Sequence, residues 1–461
     1  MVSMQQIISL AKRRGFIFPS SEIYGGFGSS YDFGPMGVEL KKNIKENWWK
    51  AMVQARSDIE GLDSAILMSP KVWEASGHLS AGFADELAEC QNCHKRFRVD
   101  EIKNRSCPDC GGELSKPRKF NLMMKTFIGP VEDKNAIAYL RAETCQGIYI
   151  NFKNVLNASR QKIPFGIAQI GKAFRNEITT KNFIFRMREF EQMEMQWFCS
   201  PSASRTTAQI SADKVTDEHR WDPDQWFEYW KEERIKWYLD LGIKKENLRA
   251  VEVPEKERAH YAKRQVDLEY NFPFGWQEIE GIHNRGDWDL SNHLKHSKEN
   301  LKYRDPETGE EYVPHIIETS VGVERSLLAF LIDAYSEVSG GRTETTEATK
   351  EAETVLHLHK KLSPIKVAVL PLVKNKPEII QKTQEVYQLL RPNFMVHYDK
   401  QGSIGRRYRR HDEIGTPLCI TIDFDSLEKN DVTVRDRDTM KQERVKIAEL
   451  EEYISKFFYS T

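Results

Sequence analysis

From Phe174 to Phe198 apolar and polar positions alternate on either side of a polar turn at Thr179, Thr180, Lys181 and Asn182. After the turn, Glu189, Glu191, Met193, Met195 and Trp197 fall on one face and Phe190, Gln192, Glu194, Gln196 and Phe198 on the other. Period-two spacing of this kind predicts a long β-hairpin. Both faces carry charge, although a half-buried strand normally reserves one for the core. Three arginines (Arg175, Arg186, Arg188) and four glutamates (Glu177, Glu189, Glu191, Glu194) are hard to bury unless they pair or meet a charged ligand. A salt-bridged edge hairpin satisfies that condition, and so does a nucleotide site.

The remaining pattern organises around this hairpin. Residues 4–16 read as a short amphipathic helix ending in Lys12, Arg13 and Arg14. Two glycine-bearing stretches, 24–28 and 31–37, lead into a helix over 38–52. They lack a Gly-Lys-Ser/Thr ending and a preceding buried strand, so they read as a bend and not as a phosphate loop. A strand over 136–140 precedes Arg141-Ala142-Glu143-Thr144-Cys145-Gln146-Gly147. Residues 221–241 predict a helix whose Trp226, Trp230, Trp237 and Leu241 suit packing better than base stacking. Strand character returns at 277–282, where carboxylates interrupt apolar residues, as in an edge strand or at a cation. It returns again at 316–325, which runs into an apolar helix over 326–331. A Gly-, Thr- and Glu-rich stretch at 338–353 reads as a linker or surface loop. Beyond 360, strands at 366–370, 394–398, 418–424 and 432–436 alternate with helices at 378–390, 403–413 and 447–458, which predicts a separate α/β domain.

A chain of 461 residues with 39% hydrophobic and 30% charged residues has ample material for several globular cores. No apolar run approaches the roughly 18 residues that span a bilayer. Basic residues 12–14 arrive before any signal-like apolar core, so export is not expected and the cytoplasm is. Formal net charge is −1, so a nucleic acid would have to be met by local basic patches. The cluster Arg406, Arg407, Arg409 and Arg410 around Tyr408 is such a patch, or else a solvated face.

Seven cysteines include two C-x-x-C pairs. Cys90-x2-Cys93 and Cys107-x2-Cys110, the second followed by Gly111 and Gly112, suit a tetrahedral zinc ribbon. Four thiolates leave no open position, so the expected Zn²⁺ is structural; the alternative is a metal-free loop with incidental cysteines. Cys145 has no nearby His base and is not expected to act as a nucleophile.

Several of these stretches, taken in order, match a known family. Phe174-Arg175-x-Glu177, a loop, then Arg186-x3-Phe190-x3-Glu194 resembles motif 2 of the class II aminoacyl-tRNA synthetases. The bend at Pro35 resembles motif 1, whose proline marks that family's dimer interface, and 316–325 resembles motif 3. Residues 141–146 are similar to the family's Arg-Pro-Glu-Thr-x-Gln loop, with Ala142 in place of the proline. Residues 23–49 and Lys71-Val72-Trp73-Glu74-Ala75-Ser76-Gly77-His78 closely resemble the homodimeric, glycine-specific members of bacteria and eukaryotes.

The resemblance implies an α+β class II synthetase catalytic domain over 1–360, an antiparallel sheet with flanking helices. It would carry the zinc ribbon as an insertion at 87–117 and another insertion at about 200–270 between motifs 2 and 3. Residues 361–461 would form an α/β anticodon-binding domain that grips tRNA through Arg406, Arg407, Arg409 and Arg410. Arg175 and Arg325 would be the catalytic arginines. Arg175 would fork onto the ATP α-phosphate and the amino-acid carboxylate, and Arg325 would take the γ-phosphate end. Glu177 would lie at the adenine edge, Phe190 would stack on the ring and Arg186 would help to hold the triphosphate. By position in the motifs, Asn176, Phe185, Met187, Arg188, Glu189, Ile279, Gly322, Val323 and Glu324 complete the ATP site, with Glu278 at the Mg²⁺–ATP contact. Glu324 stands where close relatives often carry Asp. Glycine would be bound by Glu143, Glu194, Glu318 and Ser320, with Arg98, Phe190, Glu191, Gln192, Met193 and Gly322 around them.

The implied reaction converts glycine and ATP to glycyl-adenylate and pyrophosphate, then transfers glycine to the 3′ end of tRNA(Gly), in a homodimer with no membrane partner. Glycine offers no side chain, so such a pocket must hold the ammonium and leave no room at Cα. Larger amino acids clash, and no editing domain is required. Two alternatives are a class II enzyme for another small amino acid and a non-catalytic synthetase-like nucleic-acid-binding protein. The three glutamates with Ser320 argue against the first, and the presence of Arg175, Arg186 and Arg325 against the second.

Overall fold

The computed structural model describes residues 2–80, 83–99, 102, 106–178, 182–202, 221–339 and 352–459. The turn at 179–181, most of the expected loop at 338–353 and residues 203–220 of the expected insertion lie outside the described residues.

Helix α1 (Met4–Arg13) starts with a capping box, Ser3 Oγ accepting from Gln6 N and Gln6 Oε1 from Ser3 N, and buries Ile7, Leu10 and Ala11. Helix α2 (Pro35–Trp49) opens on Pro35, whose fixed φ and missing N–H suit a first helical turn. At Gly37 a Cβ would sit 1.8 Å from Phe16 O, so the approach of these two segments requires glycine.

Seven strands form the central sheet: β1 (Ile59–Gly61), β2 (Phe165–Phe174), β3 (Glu189–Cys199), β4 (Leu248–Glu252), β5 (Arg264–Phe272), β6 (Gly275–Gly286) and β7 (His315–Gly322). Their order is β4-β5-β6-β7-β3-β2-β1, antiparallel throughout except that β1 joins β2 in parallel. One face of β3 carries Met193, Met195 and Trp197 into a core shared with α2, α4 (Pro223–Asp240) and α6 (Val323–Ala334). Trp226 and Trp230 of α4 pack on Trp197, with ring centroids 4.7 and 5.3 Å away, which bears out the packing reading of that stripe. Arg234 of α4 is buried against Glu280 of β6 at 2.6 Å. The other face is apolar at one end, where Phe165, Phe198 and Ile316 meet Ile148 and Phe152 of α3 (Cys145–Ser159) and Leu290 of α5 (Trp288–Ser297). At its other end it is polar and open.

The C-terminal sheet has β8 (Val367–Pro371), β9 (Val396–Tyr398), β10 (Leu418–Ile422), β11 (Asp431–Asp436) and β12 (Gln442–Lys446), in the order β9-β8-β10-β11-β12. Helices α7 (Pro377–Leu390), α8 (Ile404–Glu413) and α9 (Leu450–Tyr459) flank it. Val367, Val369, Ile420, Ile379 and Ile454 belong to a core of its own. Arg14 Nε pairs with Glu413 at 2.5 Å, and Asn43 Nδ2 donates to Leu362 O and Ser363 O, tying this part to the first.

Three expectations need correction. The β2–β3 ladder ends at the pair Phe174 and Glu189, so residues 175–178 and 182–188 lie beyond the paired strands, with Phe183–Phe185 as one 3₁₀ turn. Residues 248–272 are not set apart as an insertion: β4 and β5 are edge strands of the central sheet, and Val266, Leu268, Tyr270 and Phe272 are buried in its core. In the C-terminal part, a short helix (Phe424–Lys429) and strand β12 accompany the elements the pattern gave.

Candidate active site and metal centre

The open, polar end of the sheet is a cleft of about 440 Å³. Its walls come from the loop after β2, the cleft-facing side of β3, β6 and β7, and the first turn of α6. Arg175, Glu177, Phe185, Arg186, Met187, Phe190, Gln192, Glu194, Glu278, Ile279, Glu318, Ser320, Gly322, Glu324, Arg325 and Glu143 all line it. Residues scattered over some 180 positions are thus brought together by strand pairing.

Its outer part is arginine-rich. Arg175 Nε donates to Ala142 O at 3.1 Å and its guanidinium lies 5.5 Å from the Phe190 ring. Across the cleft Arg325 is held by Phe185 O, Glu278 O and the Glu278 carboxylate, 3.3, 3.0 and 3.2 Å away, with its guanidinium 4.4 Å over the Phe185 ring. Two guanidiniums and two aromatic faces around open space suit a planar base carrying a polyanion.

The inner end is acidic and buried. Alternation on β3 places Gln192, Glu194 and Gln196 on the cleft side. Ser320 Oγ, Gln192 Nε2 and Thr144 Oγ1 all donate to Glu194. Glu318 accepts from Gln196 Nε2 (2.9 Å) and Arg285 Nη1 (3.0 Å), and His283 Nδ1 lies 2.8 Å from it. Arg285 is itself fixed by a fork onto Asp289 at 2.7 and 2.8 Å. Glu143 accepts from Cys145 Sγ and Gln146 Nε2, and His78 Nε2 lies 3.4 Å away.

The three carboxyls therefore titrate differently. Burial opposes ionisation of Glu318, but Arg285 and His283 outweigh it and hold the group at about 2. Burial is likewise outweighed at Glu143, where His78 and Arg285 keep the carboxyl well below its usual range. At Glu194 burial acts with the charges of Glu318 and Glu143, and the group is pushed up to about 8.

Not every expected residue reaches the cleft. Glu191 and Met193 alternate to the far face: Glu191 pairs with Lys41 and Lys45 at 2.7 and 3.0 Å, and Met193 is in the core. Asn176 contributes a backbone N–H to Leu122 O, Arg188 holds Gly28 O and Glu177 O, Glu189 pairs with Lys172, and Val323 is core. Arg98 sits on a ribbon strand 3.1 Å from Asp85 and does not line the cleft. Glu324 lines it, yet its carboxylate accepts from Lys41 Nζ and the Glu191 N–H. Tyr261, Gln265, Gly281 and His283 also line the cleft without having been expected there. The signal for the last two was present: Gly281, His283 and Arg285 continue the period-two face of β6.

Comparison with known proteins decides what this site belongs to. Residues 130–335 match the family described as "tRNA synthetase class II core domain (G, H, P, S and T)", and residues 366–457 match "Anticodon binding domain". The glycine–tRNA ligase of Thermobifida fusca is 50% identical over 474 aligned residues, covering 98% of this chain and 97% of that one. Those of Streptomyces coelicolor and Borreliella burgdorferi are 48% and 51% identical, each covering 97% or more of this chain and 97% of the relative. The chain belongs to the glycine–tRNA ligase family.

For a member of this family, the ribbon and the basic helix remain to be placed. The sulfurs of Cys90, Cys93, Cys107 and Cys110 lie within 4.8 Å of one another, with Cys90–Cys110 and Cys93–Cys107 at 3.5 and 3.7 Å. Four thiolates about 2.3 Å from a tetrahedral zinc sit about 3.8 Å apart, so this donor set fits the ion. The pairs are presented by two matching turns, His94 N bonding Cys90 O and Gly111 N bonding Cys107 O.

The four basic-helix arginines divide. Arg407 is buried and donates to Pro371 O, Leu372 O and Ser403 O. Arg409 pairs with Glu353 and Arg410 with Asp399, both at 2.6 Å. Arg406 is the exposed one, beside a groove lined also by Arg14, Arg409 and Glu413. Of the expected patch, Arg407 is a structural residue.

Proposed function

We propose that this chain activates glycine with ATP and transfers it to the 3′ end of tRNA(Gly). The observation that carries the reading is the acidic slot of Glu143, Glu194 and Glu318 closing the inner end of an arginine-lined cleft. A zwitterionic amino acid entering that slot ammonium-first presents its carboxylate toward Arg175 and Phe190. ATP stacked on Phe190 between Arg175 and Arg325 would bring its α-phosphorus to the same place. The carboxylate oxygen then attacks phosphorus, the bond to the bridging oxygen breaks, and pyrophosphate leaves on the Arg325 side. Arg175 offsets the repulsion between carboxylate and phosphate, and the buried wall keeps water from the mixed anhydride. The second step needs only the ribose hydroxyl of tRNA at the acyl carbon; none of the lining residues is placed as a dedicated base. Glu278, an acidic side chain at the phosphate end beside Arg325, would hold Mg²⁺, which supplies further positive charge to the triphosphate.

Glycine is favoured because Gln192, Ser320 and Glu194 crowd the space where a side chain would project. Zn²⁺ in the four-cysteine ribbon is structural, since no ligand position is left open. The division of the chain at about residue 360 is supported by the separate core of the C-terminal sheet. A homodimer is supported by the exposure of Ile23, Tyr24, Phe27 and Val38 beside the start of α2, 88, 87, 62 and 50% accessible, an apolar patch that a second copy would cover. No helix among the described residues is long and apolar enough to cross a membrane. The tRNA-charging reaction proposed above places the protein with the translation machinery, in the cytoplasm.

The test is charging of tRNA bearing a glycine anticodon with labelled glycine. Charged tRNA(Gly) and uncharged tRNA(Ala) are expected; charging of neither by protein that forms the adenylate would overturn the transfer step.

A further inference from the structure

Glu318 and Glu143 each have a cationic or cation-forming side chain within ion-pair distance, and among the described residues Glu194 has none. Glu318 on β7 faces Arg285 and His283 of β6, and Glu143 faces His78. Around Glu194 the partners are neutral: Gln192 Nε2 from its own strand donates at 2.9 Å, and the hydroxyls of Ser320 from β7 at 2.6 Å and Thr144 from the loop before α3 donate to the carboxylate or accept from the acid. Its register partner on β2 is Gln169. The remaining titratable groups around it are Glu318, Glu143 and the Cys145 thiol, the last within 4.8 Å of Glu194 and Glu318. The Arg141 guanidinium acts on it at longer range and is engaged by Lys172 O and Ser64 O. Glu194 is 2% accessible. A carboxylate that is buried, has no cation within ion-pair distance among the described residues and lies beside two others is the member of the set that takes a proton.

We infer that Glu194 carries a proton while the slot is empty and gives it up as an ammonium-bearing ligand enters. The acid O–H bond breaks, the proton goes to solvent, and the freed carboxylate accepts an N–H of the incoming ammonium. The empty slot thereby avoids three adjacent buried charges, and full negative charge is developed only against a cation. Amines are selected by charge as well as by size, because a neutral isostere leaves the proton in place. This rests on reading the slot as the glycine ammonium site.

Calorimetric titration of the zinc-loaded protein with glycine, in buffers of different ionisation enthalpy, reads the proton directly. Close to one proton should be released at pH 6 and 7 and about half at pH 8, the midpoint of the group. Glycine affinity should rise nearly tenfold from pH 6 to 7 and less from 7 to 8. Glu194→Gln should abolish the release. Because that variant could bind glycine too weakly to titrate, difference infrared spectra of the unmodified protein provide a second readout: a buried protonated-carboxyl band should vanish on adding glycine. Glycine that binds with no proton released and pH-independent affinity overturns the proton exchange and leaves the functional reading intact. Glycine that fails to bind at any of these pH values overturns both. Release that persists in Glu194→Gln puts the proton elsewhere and overturns the assignment.

Discussion

Glu194 and Ser320 are register partners on adjacent antiparallel strands, and Ser320 Oγ donates to Glu194 Oε1 at 2.6 Å. The bond fixes the carboxylate at the inner wall and fills the space beyond it. Ser320→Ala removes one neutral donor from a buried carboxyl, an interaction worth about 1–3 kcal/mol. We predict a rise of about tenfold in KM for glycine, with a smaller change for ATP and detectable activation of alanine. Steady-state kinetics with both amino acids check this; an unchanged KM with no alanine activation would show that Ser320 does not shape the pocket.

The basic helix gives a paired prediction. Arg406→Ala should weaken tRNA binding and leave thermal stability unchanged, since the side chain is exposed. Arg407→Ala should destabilise the C-terminal part by about 2–4 kcal/mol, because the buried Pro371 carbonyl and the partly buried carbonyls of Leu372 and Ser403 lose a charged donor. Denaturant titration beside tRNA-binding isotherms separates the two; equal loss of tRNA affinity without loss of stability in Arg407→Ala would restore it to the RNA surface.

Metal dependence follows from the four-thiolate cluster. Cys107→Ser should release zinc and loosen the ribbon, while the central sheet, which the ribbon does not help to form, stays folded. Elemental analysis and limited proteolysis within 87–117 check this; full zinc occupancy in the variant would reject the donor set.

Much of this was legible in the alternation of the chain. The β3 pattern separates Met193, Met195 and Trp197 from Gln192, Glu194 and Gln196, and the structure puts one set in the core and the other in the cleft. Where the family resemblance implies a role by motif position alone, alternation overrides it. Glu191 and Met193 share the core-side face, and no motif can turn them round. The sheet's far edge departs from the expected insertion, and Val266, Leu268, Tyr270 and Phe272 are as regular in alternation as any strand. Strand β12 offered less: Gln442, Glu443 and Arg444 are an exposed edge with no apolar period. Arg285 and His78 set the charge state of the pocket from distant segments, and only the fold brings them there.

His411 predicts an acid sensitivity. Burial in α8, with His397 and Arg410 nearby, depresses its folded-state value to about 3, against about 6.5 unfolded. The folded state thus binds fewer protons than the unfolded chain between these values. The stability it contributes is present above about pH 6.5 and is lost as pH falls towards 3. His411→Asn should flatten the acid limb of the stability–pH curve for the C-terminal part over that window, measured by thermal denaturation; an unchanged slope would show that His411 does not titrate on unfolding.

Glycine-dependent exchange between ATP and pyrophosphate, with no tRNA present and with alanine and serine as controls, tests the account at its centre. Exchange is predicted with glycine alone. In Arg175→Ala it should fall by about 10²–10³-fold while the protein stays folded, the loss of one charged donor aimed at the transition state. Exchange with none of the three amino acids, or undiminished exchange in Arg175→Ala, would contradict the assignment of the cleft as the site of adenylate formation.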